Sequence, residues 1–317
     1  MEIEHDWRQE WKDMPEFHVP TRNTELRNQI DISDIKELSN NSTSVFPKYP
    51  IYIISKGRWK SPLTARALDK MGIDYRIVIE SLEYDDYCKT IAKEKILVLP
   101  FDNLGQGSIP ARNWVWEHSI EEGHRRHWIL DDNINGFGYQ KGGRRVNAVN
   151  GDLFRQCEDF VDKYSNVSMA GIRYRFHHNY VKSPYYLNTR VYSCILLDNK
   201  VQQRWRGKYN EDTDLSLRIL KEGSCTMLFT WCYCNKTASM KMKGGNTDEV
   251  YGDTNNRKEF AESLQEQHPD VVKVVWRFNR WHHQVDYRLF KKTRLIKKQN
   301  VEIRDGINEY GMFLKKL

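Results

Sequence analysis

The sequence has no Cys-x-x-Cys pair. Its six cysteines, Cys88, Cys157, Cys194, Cys225, Cys232 and Cys234, are scattered through apolar segments. A zinc site or a disulfide frame calls for ordered spacings, so these read as reduced core thiols of a cytoplasmic protein. No stretch approaches the ~18 consecutive apolar residues of a membrane span. The opening, Met1-Glu2-Ile3-Glu4-His5-Asp6, is acidic and polar, unlike a secretory leader. No internal repeat is visible, which argues against solenoids and propellers.

What is present is a chain of 317 residues, 39% hydrophobic and 29% charged, a globular rather than a disordered composition. One α/β domain of that length is ordinary. The net charge of +7 suits an anionic partner such as nucleic acid. There are 10 Trp, 17 Tyr and 12 Phe; some could stack on bases or sugars, while the ordinary alternative is core filling.

Residues 1–49 are polar and mixed in charge, an N-terminal extension. The core starts at the β-branched run Ile51-Tyr52-Ile53-Ile54-Ser55, closed by Lys56-Gly57-Arg58. Ser61-Pro62 predicts a helix start, with Ser as cap and Pro at the first helical position. Gly72 ends that helix, and residues 75–79 form the next strand. Strand, helix, strand is a βαβ unit, so the sheet is expected to be mainly parallel. A helix over 84–93, a strand over 96–99 and a helix from Ala111-Arg112-Asn113 to about Glu122 follow. Asn135 to Arg145 is glycine-rich and basic, and predicts a mobile loop. A helix over 151–164 and strands over 167–172, 191–197 and 226–234 come next, with a helix over 215–221 between the last two. Residues 244–256 read as loop. From Lys258 the chain is expected to be helical and then basic, with Trp276-Arg277-Phe278-Asn279-Arg280-Trp281-His282-His283 its densest feature.

The chemistry centres on His127-Trp128-Ile129-Leu130-Asp131-Asp132-Asn133. A short apolar run ending in acids reads as a buried strand that surfaces at its C-terminal end. Ligands gather at such ends in open α/β sheets. Two adjacent carboxylates need positive charge nearby, which a divalent ion carrying a diphosphate would supply. A polar turn after a strand is the plain alternative. Glu211, Asp212 and Asp214 put three acids in five residues. One would suffice to cap a helix; another could serve as general base. His282 and His283 could complete a metal site or simply belong to the surface or core. Lys56, Arg58, Arg112, Arg144 and Arg145 suit phosphate binding, or are merely solvated.

Together, Ser55-Lys56-Gly57-Arg58, Ile109-Pro110-Ala111-Arg112-Asn113-Trp114, Trp128 to Asn133 and Asn210-Glu211-Asp212 resemble a nucleotide-sugar glycosyltransferase of the GT-A type. More closely, with Arg280-Trp281-His282-His283-Gln284-Val285-Asp286-Tyr287, the chain resembles the TET-associated glycosyltransferases of bacteriophages and related hydroxymethylcytosine-DNA sugar transferases. The resemblance runs from about Pro50 to Phe290. It implies a GT-A-like, Rossmann-type α/β fold over residues 50–290, flanked by helices and followed by a basic helical tail over 291–317.

It also implies roles. Ser55, Lys56 and Arg58 would flank the nucleotide, and Arg112 and Asn113 would lie near its base or ribose. Asp131 would contact ribose or metal. Asp132 and Asn133 would hold Mn²⁺ or Mg²⁺, with His282 or His283 as last ligand. Asp212 would be the base, supported by Glu211. Asn133 stands where the motif has a second Asp, and an amide oxygen brings less charge to a cation. The implied reaction moves a sugar from a nucleoside diphosphate sugar, UDP-sugar first, to the hydroxymethyl group of a pyrimidine, 5-hydroxymethylcytosine first, in phage DNA within the host cytoplasm. Arg144, Arg145, Arg173, Arg175 and the tail from Lys291 to Lys298 would contact that DNA. A metal-dependent nuclease using Asp131, Asp132 and His283, and a non-catalytic DNA-binding protein, are the readings from other classes.

Overall fold

The computed structural model describes residues 46–141, 144–175, 183–207, 209–237 and 257–301, with short strands at 306–307 and 313–314. The expected extension up to residue 45 and the expected loop over 244–256 lie outside the described residues.

The first half is built from strand–helix alternation. β1 (Ile51–Ile54), α1 (Leu63–Lys70), β2 (Arg76–Ile79), the short α2 (Tyr84–Tyr87), β3 (Ile96–Val98), α3 (Ile109–Glu121) and β4 (Arg126–Asp131) follow one another. β3, β2, β1 and β4 lie side by side and parallel. Period-two alternation decides which layer each side chain enters. Ile51, Ile53, Trp128 and Leu130 join one buried cluster with Leu68 of α1. Tyr52 and Ile129 join another with Val115 and Trp116 of α3. Both faces are covered, so these strands read as continuous apolar runs.

The second half departs from simple alternation. It contains β5 (Ile134–Lys141), β6 (Arg144–Asn147), α4 (Asp152–Asp162), β7 (Val167–Tyr174), β8 (Tyr185–Leu187), β9 (Cys194–Asp198), α5 (Glu211–Lys221) and β10 (Cys225–Lys236). The ten-stranded sheet has the order β3-β2-β1-β4-β9-β7-β10-β5-β6, with β8 also on β10. β9 is antiparallel to both β4 and β7, and β7 is parallel to β10. Seven strands therefore share one direction and β5, β8 and β9 oppose them: a mixed α/β sheet with helices on its faces.

Several local expectations change. Residues 135–141 and 144–145 belong to the paired strands β5 and β6 rather than to a loop. Gly138 is what allows it: a β-carbon there would collide with the Tyr233 ring and the Val146 carbonyl. The α1 cap is Pro62, not Ser61. α2 stops after four residues. α5 starts at Glu211, so its acids lie inside the first turn.

Beyond β10, α6 (Arg257–Gln267) packs against a two-stranded antiparallel sheet, β11 (Val272–Arg277) and β12 (Arg280–Val285). The segment expected to be helical and basic around Trp276 is thus a β-hairpin. The described residues after Lys292 contain no α-helix. Instead an extended strap lies along α4 and β7: Ser165 donates its N–H to the Ile296 carbonyl, and Asn166 contacts both Arg294 and Ile296. Backbone groups satisfied by another segment do not need a helix. This C-terminal unit is joined to α5 by a small core of Leu217, Leu220, Leu264, Val271, Val272 and Phe290. Buried Asp214 adds a bond to His268 Nε2 at 2.8 Å and ion pairs with Arg206 and Arg218.

Candidate active site

Asp131 ends β4, where the sheet splits towards β9. Its Oδ1 accepts from Arg112 Nη2 at 3.0 Å. Its Oδ2 accepts from Lys236 Nζ at 2.6 Å and from Ser193 Oγ at 2.6 Å. Burial opposes ionisation of Asp131, but Lys236 and Arg112 outweigh it and hold the carboxyl below the usual range.

Arg112 is the hub. It sits in the first turn of α3 and is only 3% exposed. Its Nη1 donates to Asp212 Oδ1 at 2.6 Å and lies 3.4 Å from Glu211 Oε1. Its guanidinium also lies 5.3 Å from the centre of the Trp205 ring. One side chain thereby joins the end of β4 to the start of α5. Trp205 Nε1 donates to the same Asp212 oxygen at 3.1 Å. Burial raises the pKa of both Glu211 and Asp212. The charge of Asp212 adds to the effect on Glu211, which is pushed up to about 7.

Asp132 points the other way. Its Oδ2 accepts from Ser55 Oγ at 2.8 Å and its Oδ1 from Arg58. Ser55 also bonds Tyr87 at 2.6 Å. Burial raises the pKa of Asp132 despite the Arg58 charge. Ser55, Arg58 and Asp132 therefore pin the β1 loop beneath the cluster centred on Asp131.

The remaining expected residues sit apart. Lys56 Nζ is held by Glu80 and Asn103, both at 2.9 Å. Asn113 clasps the backbone of Trp205 from both ends of its amide, each at 2.9 Å, so it positions Trp205. Asp214 faces the C-terminal unit. His282 Nε2 accepts from Arg280 at 2.9 Å. His283 lies on the same hairpin; burial, then Arg190, lowers its pKa to about 4.

A divalent ion held by Asp132, Asn133 and a histidine does not fit these side chains. Both oxygens of Asp132 already meet donors, and among the described residues no hydrogen bond or ion pair joins either histidine to the acids. Asn133 leaves its Oδ1 buried without a partner, which is one oxygen and not a site. Among the described residues no cluster of three or more His, Cys, Asp or Glu could hold a metal. Protein cations, Arg58, Arg112 and Lys236, stand against the carboxylates instead.

Three participants escape a reading by motif. Lys236 lies at the far end of β10, two residues past the expected strand end. Ser193 has φ 66, in the left-handed region. Gly171 permits that turn, because a β-carbon there would strike Val191 and the Cys194 carbonyl. Tyr174 OH completes the cluster by bonding Ser193 Oγ. The left-handed serine beside the carboxylate is a feature that the structure, and not the sequence, makes visible.

The arrangement offers a carboxylate pair at a helix start, a largely buried lysine and an anchored loop, gathered near the C-terminal end of β4. The family model of the TET-associated glycosyltransferases matches residues 49–245. Among solved structures, a protein of Desulfovibrio desulfuricans G20 assigned as a nucleotide-diphospho-sugar transferase is similar. It is 9% identical with a TM-score of 0.35, over 58% of this chain and 80% of that one. No curated protein sequence matches.

Proposed function

The chain belongs to the TET-associated glycosyltransferase family, and on that footing we propose that it moves a sugar from a nucleoside diphosphate sugar, UDP-sugar first, to the hydroxymethyl group of a modified pyrimidine, 5-hydroxymethylcytosine first, in phage DNA. The observation that carries the reading is the Arg112 bridge. It places the two carboxylates of α5 beside the carboxylate that ends β4.

In this reading the hydroxymethyl oxygen attacks the anomeric carbon, the bond to the diphosphate breaks, and Asp212 takes the hydroxyl proton. Arg112 fixes Asp212, and Glu211 stands behind it. The departing diphosphate carries negative charge into the site. Lys236 is the cation placed to meet it, with 12% of its side chain exposed and its ammonium beside Asp131 and Ser193. The Ser55–Arg58 loop, held by Asp132 next to Asp131 in the chain, flanks the nucleotide. No helix among the described residues is long and apolar enough to cross a membrane.

The test is incubation with duplex DNA containing 5-hydroxymethylcytosine and a panel of nucleotide sugars, followed by mass analysis of the nucleosides. A gain of one sugar residue is expected. Cleaved DNA would favour a nuclease, and unchanged DNA with every donor would sink the reading. Lys236→Met should cost roughly 10²-fold in turnover, the usual scale for one charge-stabilising donor. Because protein cations already face the carboxylates, EDTA should leave native turnover within about two-fold, well short of the 10²-fold scale of a lost charge donor. Loss in EDTA with recovery on Mn²⁺ would show that the carboxylates rearrange around an ion.

A further inference from the structure

The net charge of the chain is not spread evenly. Residues 257–317 hold 14 Lys and Arg against 8 Asp and Glu, a surplus of six. All of that stretch lies outside the match to the transferase family at 49–245. The matched part, residues 49–245, holds 30 Lys and Arg against 22 Asp and Glu over 197 residues, so per residue the positive charge of the C-terminal stretch, six over 61, is about twice as dense.

Within that unit lies the β11–β12 hairpin. Trp276 pairs with Trp281, and Arg277 with Arg280, leaving a two-residue turn of Phe278 and Asn279. Both turn residues are left-handed, at φ 52 and φ 55. Such turns favour Asn-Gly, because a bulky side chain at positive φ is strained. Phenylalanine at the first position is a poor choice for folding. Trp276 is 57% exposed, although burying it would stabilise the fold. Arg277 is exposed beside it. Trp281 packs edge-on against Trp276 at 5.2 Å, and Lys258 reaches over the Trp281 ring at 5.6 Å. The tip thus combines strained and exposed aromatics with arginines on both strands.

The hairpin also connects to the candidate site. His283 of β12 lies close enough to Arg190 for that charge to lower its pKa. Arg190 stacks over Tyr192 at 5.4 Å, and Tyr192 packs on Tyr174 at 4.7 Å. Tyr174 bonds Ser193, which bonds Asp131. A chain of side-chain contacts thus links the strand that carries the hairpin tip to Asp131.

We infer that the β11–β12 hairpin is a DNA-gripping ribbon that enters a groove of the acceptor duplex, with Arg277 and Arg280 on phosphates and Trp276 and Phe278 against the bases. A two-stranded ribbon fits the major groove. An aromatic wedge at its tip would ease a target base out of the stack. The inference rests on the reading of DNA as acceptor and deepens it.

The experiment measures binding of a labelled unmodified duplex to the full chain across a salt series, with donor-induced thermal shift as a control for folding. Native protein should bind, with affinity falling steeply in salt. Trp276→Ala should weaken binding by about tenfold, on the scale of one lost stacking contact. Arg277→Ala should flatten the salt slope by about one, as for one lost phosphate contact. Phe278→Gly separates folding from function: relief of the left-handed strain should hold or raise the melting temperature while DNA affinity drops. All three should keep the donor shift. If the variants bind duplex as tightly as native protein, the hairpin inference falls, the DNA reading stands, and the aromatic tip belongs to a protein contact. If native protein shifts with donor but binds no duplex, both fall.

Discussion

Asp212→Asn is expected to leave donor affinity within a few-fold of native and to cut turnover by about 10²–10⁴-fold, the range of general base catalysis. The substitution keeps shape. An amide oxygen can still accept from Arg112 and from Trp205 Nε1, the two bonds that orient the native carboxylate. What it loses is the ability to take a proton. Asparagine caps a helix about as well as aspartate, so a purely capping role predicts near-normal turnover. In this structure capping is an even weaker explanation, because Asn210 holds the cap position and Asp212 lies inside the first turn.

The pH profile adds a second readout. Burial raises the pKa of both Glu211 and Asp212, and each negative charge opposes the other, so they titrate as a pair. The active form needs the proton off. Turnover should therefore rise with pH through a limb near the Glu211 value of about 7. Glu211→Gln removes one of the opposing charges, eases ionisation of Asp212 and should move the limb to lower pH. A limb that stays in place would separate Glu211 from the proton-accepting step.

Arg112→Met should produce the largest loss of stability. The native guanidinium meets Asp131, Glu211 and Asp212 in a nearly dry setting. Removing one partner of a buried ion network leaves uncompensated charge, typically costing about 3–5 kcal/mol. The sign of its pH dependence follows. Without Arg112 these carboxylates favour the protonated form in the folded state, so their folded pKa values lie above the unfolded ones. The variant is then least penalised at low pH, and its deficit grows as pH rises through the raised values. Melting temperatures of native and variant protein should converge towards pH 5 and separate above pH 7. A constant gap would mean that the loss is one of packing against Trp205. Arg112→Lys keeps the charge without the planar fork, so it should recover part of the stability but not the alignment of Asp212.

How much of this could be read in advance depends on how local each feature is. β1 and β4 are buried on both faces, so Ile51 to Ile54 and Trp128 to Leu130 stand out as apolar runs, and Asp131 is legible as the end of one. α3 is legible from the Arg112 region and Gly123. The β5–β6 hairpin was hidden by its glycines, which suggest a loop until Tyr233 is seen against Gly138. The β11–β12 hairpin was hidden because its Phe-Asn turn lacks the glycine that usually marks one. Asp131 and Asp132 are adjacent, and the sequence gives no sign that they face opposite ways, one to Lys236 and one to Arg58. Lys236 and Ser193 reach Asp131 across 105 and 62 residues, and nothing in their own neighbourhoods marks them.

The small core between α5 and the C-terminal unit separates two kinds of boundary. The match to the family model ends at residue 245. Physical interdependence does not: Leu217 and Leu220 on the helix that bears Asp212 are roofed by Leu264, Val271 and Phe290. The carbonyl of Phe260 holds the side chain of Asn210, two residues before Asp212. A change in how the C-terminal unit seats on its partner is transmitted to the carboxylate pair by direct packing. The C-terminal unit and the helix that bears Asp212 are therefore mechanically one assembly, although the family match covers only the second of them.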